Sequence, residues 1–438
     1  MRSTEDIVLD DLLRLSAVDL SRAILTKQVS SEEITTAYLR RIEVVNPRLN
    51  AVVQVAAESA LTQARKSDQA LAQGDIRGPL HGVPFTVKDV FETAGIVSAA
   101  GLEERAHFVP NNDSVVVTRM KVAGAILLGK TNCPPGGAGG VTDNPVYGRT
   151  NNPYSLSCTP GGSSGGEAAA IAAGESVLGL GSDSGGSLRV PAHFCGIATL
   201  KPTSGRVPNT GVFEHPGGLS DYRTQIGPMA RYVRDLVLAF PLIAGEDGID
   251  SGVVPMPLRD PSSLSTRGLR VAFYVDDGQA TPTLDVASAI EAAASALKEA
   301  GLVAKGVKPD CLSDSRQITE RYWGLSKMPG AEVEQLFLDW DRFRTAMLAF
   351  MADYDAILCP ADYQPASAHG EDHKEWRFNY TLPFSLCGWP CTVVRAGGTA
   401  SGLPVGVQFA ARPWREDIVL ALAQVIEDAL GGWQPPLL

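Results

Sequence analysis

The spacing of apolar residues divides the N-terminal part of the chain into short helical and extended segments. Helical spacing predicts a first helix over residues 9–26. Ser30 and Glu33 have the spacing of a capping box and predict a second helix, which we expect Pro47 to end. The next predicted elements are a strand over 51–55 and an alanine-rich helix over 56–71.

Extended and helical runs alternate through the rest of the chain. The predicted strands are 83–87, 125–128, 177–180, 269–274, 356–358, 392–394 and 405–409. The predicted helices are 115–122, 167–173, 234–244, 284–300, 332–352 and 416–429. This alternation favours an α/β fold, a sheet covered by helices. Residues 246–265, rich in Gly, Pro, Asp and Ser, predict a surface loop, and no composition break argues for more than one continuous domain over 1–438.

Composition and charge exclude several functional classes. The 438 residues are 44% hydrophobic and 20% charged, which is typical of a soluble globular protein. A net charge of −11 argues against a nucleic-acid partner. The seven scattered cysteines have no metal-site spacing and predict reduced thiols in a cytoplasmic protein. Neither a signal sequence nor an apolar run of membrane-spanning length is present, so we expect no membrane association.

One stretch matches the phosphate-loop pattern in its letters only. It runs Gly124-Ala-Ile-Leu-Leu-Gly-Lys-Thr131. A phosphate loop needs exposed N–H groups and a following helix, whereas Ala-Ile-Leu-Leu predicts a buried strand and Asn-Cys-Pro-Pro follows. We therefore interpret this stretch as a strand.

Two further patterns are also interpreted as structural. Residues 161–165 match a nucleophile elbow around Ser163, but the preceding residues are typical of a loop and not of a strand. His369 and His373 are four residues apart and could bind zinc on a helix, yet Gly370 and polar neighbours predict a solvated loop. We expect no metal and no organic cofactor.

Two serines and one lysine are the candidate chemical groups. Ser163 and Ser187 each lie among glycines, where backbone N–H groups can approach a substrate oxygen without obstruction by a Cβ. Lys88 ends an apolar extended run, where burial could keep its amine neutral, and Asp89 should point to the opposite face. The combination predicts a serine hydrolase whose base is a lysine.

These segments together closely resemble the amidase signature family. The resemblance rests on 161–192, which is nearly unbroken, and extends to 80–89, 129–132, 195–196, 200–203, 227–231 and 403–408. It implies a central mixed β-sheet with helices on both faces. It also implies a single amidase signature domain with N-terminal helices over about 9–71, a catalytic core over about 80–245 and a C-terminal part of the same sheet over about 268–438.

The resemblance also assigns roles. It implies that Ser187 is the nucleophile, that Ser163 is a bridging serine preceded by a cis peptide bond, and that Lys88 is the base. The implied oxyanion donors are the backbone N–H groups of Ser184, Gly185, Gly186 and Ser187. Asp183 and Arg189 match positions that support this loop.

One stretch departs from the family pattern. Gly136, Gly137, Ala138, Gly139 and Gly140 stand where many members carry larger side chains along the substrate channel. We expect an open, mobile wall that admits a bulky or loosely held substrate. The aromatic segment 376–380 and Phe384 could lie nearby and favour an aryl group.

The predicted function is hydrolysis of a carbonyl C–N bond in an amide, aryl amide or carbamate, through an acyl-enzyme on Ser187. The chain looks similar to members that cleave aryl amides and urethanes. The partners would be a small-molecule amide or carbamate and water, in a monomer or homodimer. Three alternatives remain: an amidotransferase-type glutaminase subunit, disfavoured by the glycine-rich stretch; an ester or hydrazide hydrolase; and a non-catalytic binding scaffold.

Overall fold

A computed structural model of the protein describes residues 12–213, 221–371 and 378–438. The α-helices of these residues are, in chain order, α1 Ala17–Leu25, α2 Ser31–Leu49, α3 Ala57–Ala72, α4 Val115–Val122, α5 Gly165–Ala172, α6 Arg189–Cys195, α7 Val233–Ile243, α8 Leu284–Glu299, α9 Asp314–Trp323, α10 Gly330–Phe350, α11 Leu382–Cys387 and α12 Glu416–Leu430. Short 3₁₀ turns lie at Glu103–Arg105, Pro135–Gly137, Pro261–Ser263, Asp310–Ser313 and Leu325–Lys327.

The strands form one eleven-stranded mixed sheet. They are β1 Val52–Val55, β2 Pro84–Lys88, β3 Ile126–Thr131, β4 Leu178–Asp183, β5 Ala198–Lys201, β6 Gln225–Ala230, β7 Arg270–Phe273, β8 Val303–Gly306, β9 Ala356–Pro360, β10 Cys391–Gly398 and β11 Pro404–Ala411. Their spatial order is β1-β3-β2-β4-β6-β5-β10-β11-β9-β7-β8. Pairs β3-β2, β2-β4, β9-β7 and β7-β8 are parallel, and the others are antiparallel.

Helices cover both faces of this sheet, as predicted. Successive side chains of a strand point to opposite faces, and β9 shows the result. Ala356 and Leu358 pack into an apolar core shared with α8 and α12. Ile357 and Cys359 pack into a second core with residues of α9, α10 and α11. Each face of the sheet is therefore buried under its own helical layer.

The parallel order β3-β2-β4 brings three strand ends together. These neighbouring strands run in the same direction and finish at Thr131, Lys88 and Asp183. The chain leaving each strand therefore emerges at one edge of the sheet. Open α/β sheets bind ligands at the carboxyl ends of their strands, so this edge is the expected position of a site.

The observed helix ends correct two predictions near the N-terminus. Residues 13–16 of the predicted first helix are not helical, and α1 begins at Ala17 because Ser16 caps it and accepts a hydrogen bond from Asp19 N at 3.0 Å; residues 9–11 lie outside the described residues. The capping box of Ser30 is confirmed, but Pro47 does not end that helix, which continues to Leu49. A proline in the last turn removes only one N–H group, and Asn50, in the left-handed conformation, ends the helix.

Candidate active site

Lys88 is completely buried at the end of β2, and its amine faces two serines. Lys88 Nζ donates to Ser163 Oγ at 2.6 Å and to Ser182 Oγ at 2.9 Å. Burial lowers the pKa of Lys88 from its ordinary value to about 8, although Cys133 and Asp183 act to raise it. A minor fraction of this amine, roughly a tenth to a fifth, is therefore neutral near physiological pH, far more than for an exposed lysine, and the lone pair of that fraction can accept a proton.

Asp89 does not contact this amine. Its carboxylate lies 3.2 Å from Lys130 Nζ, and both side chains are fully buried. Lys130 Nζ also donates to Phe91 O at 2.6 Å and to Ser98 Oγ at 2.7 Å. The lysine of the stretch that matches a phosphate loop is thus held inside the protein, on the strand β3 that we predicted there.

Backbone contacts join the two serine segments. The peptide bond between Gly162 and Ser163 is cis, as the resemblance implies. Ser164 N donates to Ser187 O at 3.1 Å, and Ser182 N donates to Ser164 Oγ at 3.3 Å. These bonds tie the residue after Ser163 to both ends of the loop that carries Ser187, so Lys88, Ser163 and Ser187 belong to one site. Their chemical roles stay predictions.

The loop from Ser184 to Ser187 offers free backbone donors. Within the described residues, its four N–H groups donate to no protein acceptor, whereas the next one, Leu188 N, donates to Asp183 Oδ2 at 3.1 Å. Buried backbone donors normally find a partner. Unused N–H groups on a glycine-rich loop beside Ser187 are therefore well suited to hold a negatively charged oxygen.

Asp183 and Arg189, which flank this loop in sequence, form a buried ion pair that holds it in place. Arg189 Nε and Nη2 donate to the two oxygens of Asp183, each at 2.9 Å, and both side chains are fully buried. Burial acts to raise the pKa of Asp183, but Arg189 outweighs it and keeps that pKa below its ordinary value. The guanidinium also donates to Thr381 O at 2.9 Å, to Gln408 Oε1 at 2.9 Å and to Ser385 Oγ at 2.7 Å.

The glycine-rich stretch from Gly136 to Gly140 contacts both the lysine and the cis peptide. A Cβ added to Gly137 would lie 3.5 Å from Lys88 Nζ and 2.8 Å from Val90 Cγ1. A Cβ added to Gly162 would lie 2.8 Å from Gly139 O. Gly137 and Gly162 must therefore be glycines for the stretch to lie this close to Lys88, Val90 and the cis peptide. The stretch lies beside Lys88, with Ala138 and Gly139 exposed, and its role as a wall of the substrate channel stays a prediction.

Three residues near the site have no sequence pattern that would have identified them as site residues. Ser182 is the second acceptor for Lys88. Cys133 is buried nearby, and burial raises its pKa to about 12, so it stays a neutral thiol. Glu167, on the helix that follows Ser163, accepts hydrogen bonds from Thr86 and from Thr131, the latter at 2.7 Å. Burial raises the pKa of Glu167 to about 8, so this carboxyl is mostly protonated at neutral pH.

The structure places the remaining candidate residues of the sequence analysis as follows. Phe384 is fully buried in the second core, packed near Trp389. Phe378 lies beside Gly186, since a Cβ on that glycine would lie 2.8 Å from Phe378 Cδ1. Trp376 and His373 lie outside the described residues. Among the residues that the structure covers, no three His, Cys, Asp or Glu side chains form a metal cluster, and no helix is both long and apolar enough to cross a bilayer.

The fold and the site define a class of protein, an α/β enzyme with a buried lysine, two serine-bearing glycine loops and a set of free backbone donors. The chain matches the family described as Amidase over residues 33–326 and 315–420. It belongs to the amidase signature family, whose members hydrolyse carbon–nitrogen bonds.

Several relatives resemble nearly the whole chain. An acylamidase of Rhodococcus erythropolis is 33% identical, and the match covers 94% of this chain and 95% of that protein. One subunit of the Glutamyl-tRNA(Gln) amidotransferase of Moorella thermoacetica is also 33% identical, over 96% of this chain and 97% of that one. The solved structure of a bacterial aryl acylamidase superposes with a TM-score of 0.81 at 27% identity, covering 95% and 96% of the two chains.

Proposed function

We propose that this enzyme hydrolyses aryl amides or carbamates through an acyl-enzyme formed on Ser187. The observation that carries the proposal is the 2.6 Å hydrogen bond from the buried Lys88 amine to Ser163 Oγ, in contact with the Ser187 loop. A buried amine with a pKa near 8 is suited to proton transfer at neutral pH. The four unused N–H groups of the loop support the same reaction.

The proposed reaction is a proton relay in two directions. Neutral Lys88 accepts the proton of Ser163 while Ser163 Oγ accepts the proton of Ser187, and Ser187 Oγ forms a bond to the substrate carbonyl carbon. The carbonyl oxygen becomes an oxyanion that the loop N–H groups stabilise, each essential donor by roughly 3–4 kcal/mol. The proton returns along the relay to the leaving nitrogen as the C–N bond breaks. Water then attacks the carbonyl carbon of the Ser187 ester while the relay removes its proton; the C–O bond to Ser187 Oγ breaks, the acid product leaves, and the proton returns along the relay to Ser187 Oγ.

The preference for a bulky or aromatic substrate rests on the glycine wall and on two relatives. The stretch from Gly136 to Gly140 lies beside Lys88 with Ala138 and Gly139 exposed, and Phe378 lies against the Ser187 loop. The relatives named acylamidase and aryl acylamidase match nearly the whole chain. Because the amidotransferase chain is equally similar in sequence, glutamine belongs among the substrates tested.

The test combines active-site labelling with a substrate panel. Ser187→Ala should abolish both turnover and labelling by a fluorophosphonate while the unfolding temperature is unchanged, because one half-buried hydroxyl contributes little to packing. Ser184→Ala is the matched control in the same loop and should keep its label. Anilide, carbamate, ester, primary amide and glutamine substrates are then compared by kcat/KM. Labelling that persists in Ser187→Ala contradicts the nucleophile, and a preference for glutamine contradicts the substrate class.

A further inference from the structure

One hydroxyl from the C-terminal third of the chain reaches the loop of free backbone donors. Thr381 Oγ1 donates to the carbonyl oxygen of Gly185, and the threonine side chain is fully buried. Among the described residues, no other group donates to that carbonyl. Thr381 O in turn accepts from Arg189 Nη1 at 2.9 Å. A continuous chain of contacts therefore runs from Asp183 through Arg189 and Thr381 to Gly185.

The geometry of the peptide unit makes this contact consequential. In a planar trans peptide, the C=O of one residue and the N–H of the next point in opposite directions. Holding the Gly185 carbonyl toward Thr381 therefore turns the Gly186 N–H away from Thr381. That N–H is one of the four that donate to no protein acceptor within the described residues. Rotation of this single peptide would turn the Gly186 N–H away from its present direction in the loop.

Gly186 packs closely against Thr381. Gly186 has φ of 149°, and a Cβ there would lie 2.5 Å from Thr381 Oγ1. Thr381 Oγ1 is also 2.9 Å from Phe378 O, so its proton lies between that carbonyl oxygen and the carbonyl oxygen of Gly185. The threonine backbone is fixed as well, because Thr381 N donates to Phe378 O at 2.9 Å.

We propose that Thr381 is a positioning residue for the oxyanion site: its hydroxyl holds the Gly185–Gly186 peptide so that the Gly186 N–H faces the substrate carbonyl oxygen. This inference rests on the proposed function of the Ser187 loop. Thr381 acts through Gly185 and does not touch the reacting atoms. Its effect is confined to the charged tetrahedral state, because a neutral carbonyl gains much less from the donor than an oxyanion does.

The test separates transition-state positioning from packing. Thr381→Val keeps the shape and removes the hydroxyl, and Thr381→Ser keeps the hydroxyl. We expect Thr381→Val to lower kcat by about 10–100-fold and to leave KM within about twofold of the wild-type value. Thr381→Ser should keep kcat within about threefold of the wild type. The expected loss is smaller than the roughly 10²–10³-fold fall in kcat that follows removal of a whole oxyanion donor. A trifluoromethyl ketone, which forms an oxyanion adduct with the nucleophile, should lose affinity by the same factor as kcat. The affinity of a neutral substrate-like amide inhibitor should stay constant.

Each other result would overturn the proposal. Wild-type kcat in Thr381→Val, loss of kcat without a parallel loss of ketone affinity, or failure of Ser to restore activity excludes this role. If Thr381→Val does not fold, as judged by its unfolding transition, Thr381→Ala is measured in the same way. Ser187→Ala in the ketone assay distinguishes the two proposals. Adduct formation that survives this change refutes the proposed function. If Ser187→Ala no longer forms the ketone adduct but Thr381→Val has the kcat and ketone affinity of the wild type, only the positioning role is refuted.

Discussion

At the scale of single residues, the charge of Lys88 decides whether the site can work. An exposed lysine has a pKa of roughly 10.4 and is almost fully protonated at neutral pH. The fully buried Lys88 amine has no carboxylate within hydrogen-bonding distance among the described residues, because Asp89 pairs with Lys130. Burial therefore dominates and lowers the pKa of Lys88 to about 8. A protonated amine would have no lone pair with which to accept the proton of Ser163.

The pH–rate profile should report this pKa. The group is active when deprotonated, so kcat/KM should rise with pH through about 8 and reach a plateau above it. Lys88→Arg should be nearly inactive across the range because guanidinium stays charged. A matched control exists in Lys201, a buried lysine whose pKa burial also lowers to about 8 and which donates to Pro202 O at 2.9 Å. Lys201→Met should still show the rise of kcat/KM with pH through about 8. If this rise disappears in Lys201→Met, the assignment of the pKa to Lys88 is contradicted.

At the scale of elements, the glycine-rich stretch after β3 shapes the space in front of the lysine. Its 3₁₀ turn, Pro135–Gly137, contains Gly136 and Gly137 with φ of 64° and 69°, conformations that favour glycine. Gly136 N donates to Ala100 O at 2.8 Å, which anchors the turn. Ala138 follows with an extended backbone and an exposed side chain, so it can be enlarged without strain in the backbone.

Enlarging Ala138 should discriminate between substrates by size. Ala138→Leu places three more carbons on the exposed side of the wall and should lower kcat/KM for bulky anilides at least about tenfold more than for small primary amides. Ala138→Ser changes polarity with little change in size and serves as the control. Gly137 is unsuitable for this test because any side chain there would collide with Val90 and approach Lys88 Nζ. Equal losses on both substrate classes would contradict a role in the channel wall.

At the scale of the whole molecule, the C-terminal strands complete the site without contributing to the predicted triad. Strand β5 pairs with β6 on one side and with β10 on the other. The buried Arg189 has three oxygen acceptors beyond residue 268, namely Thr381 O, Ser385 Oγ and Gln408 Oε1. Removing that part of the chain would expose a strand edge and leave a buried guanidinium partly unpaired.

A cut and a truncation in the same loop should therefore behave differently. A protease site inserted between Leu258 and Arg259, within the predicted surface loop, should leave the cleaved full-length enzyme with nearly unchanged kcat. Residues 1–265 expressed alone should aggregate and take no fluorophosphonate label on Ser187. Sedimentation and labelling measure both outcomes, and a soluble, labelled fragment would show that the N-terminal strands form the site alone.

The periodic elements could be predicted because their signals are local. Helices α5, α8 and α12 and strands β2, β4 and β11 follow from apolar spacing within about twenty neighbouring residues. Strand β6 was missed because Gly227 and Pro228 lie inside it, and β8 because its side chains are mostly exposed. Helix α11, six residues long with a proline in its first turn, was too short for a periodic signal. Its formation depends on burial in the second core.

The sequence by itself determined the family, the sheet covered by helices and the candidate groups Lys88, Ser163 and Ser187, since each group lies in a contiguous motif. Only the tertiary structure decided which distant groups meet them. The parallel order β3-β2-β4 brings Lys88 to the serine loops, and Thr381 and Gln408 reach Arg189 although they lie 192 and 219 positions further along the chain. Contacts of this kind depend on strand order and direction, which no local spacing encodes.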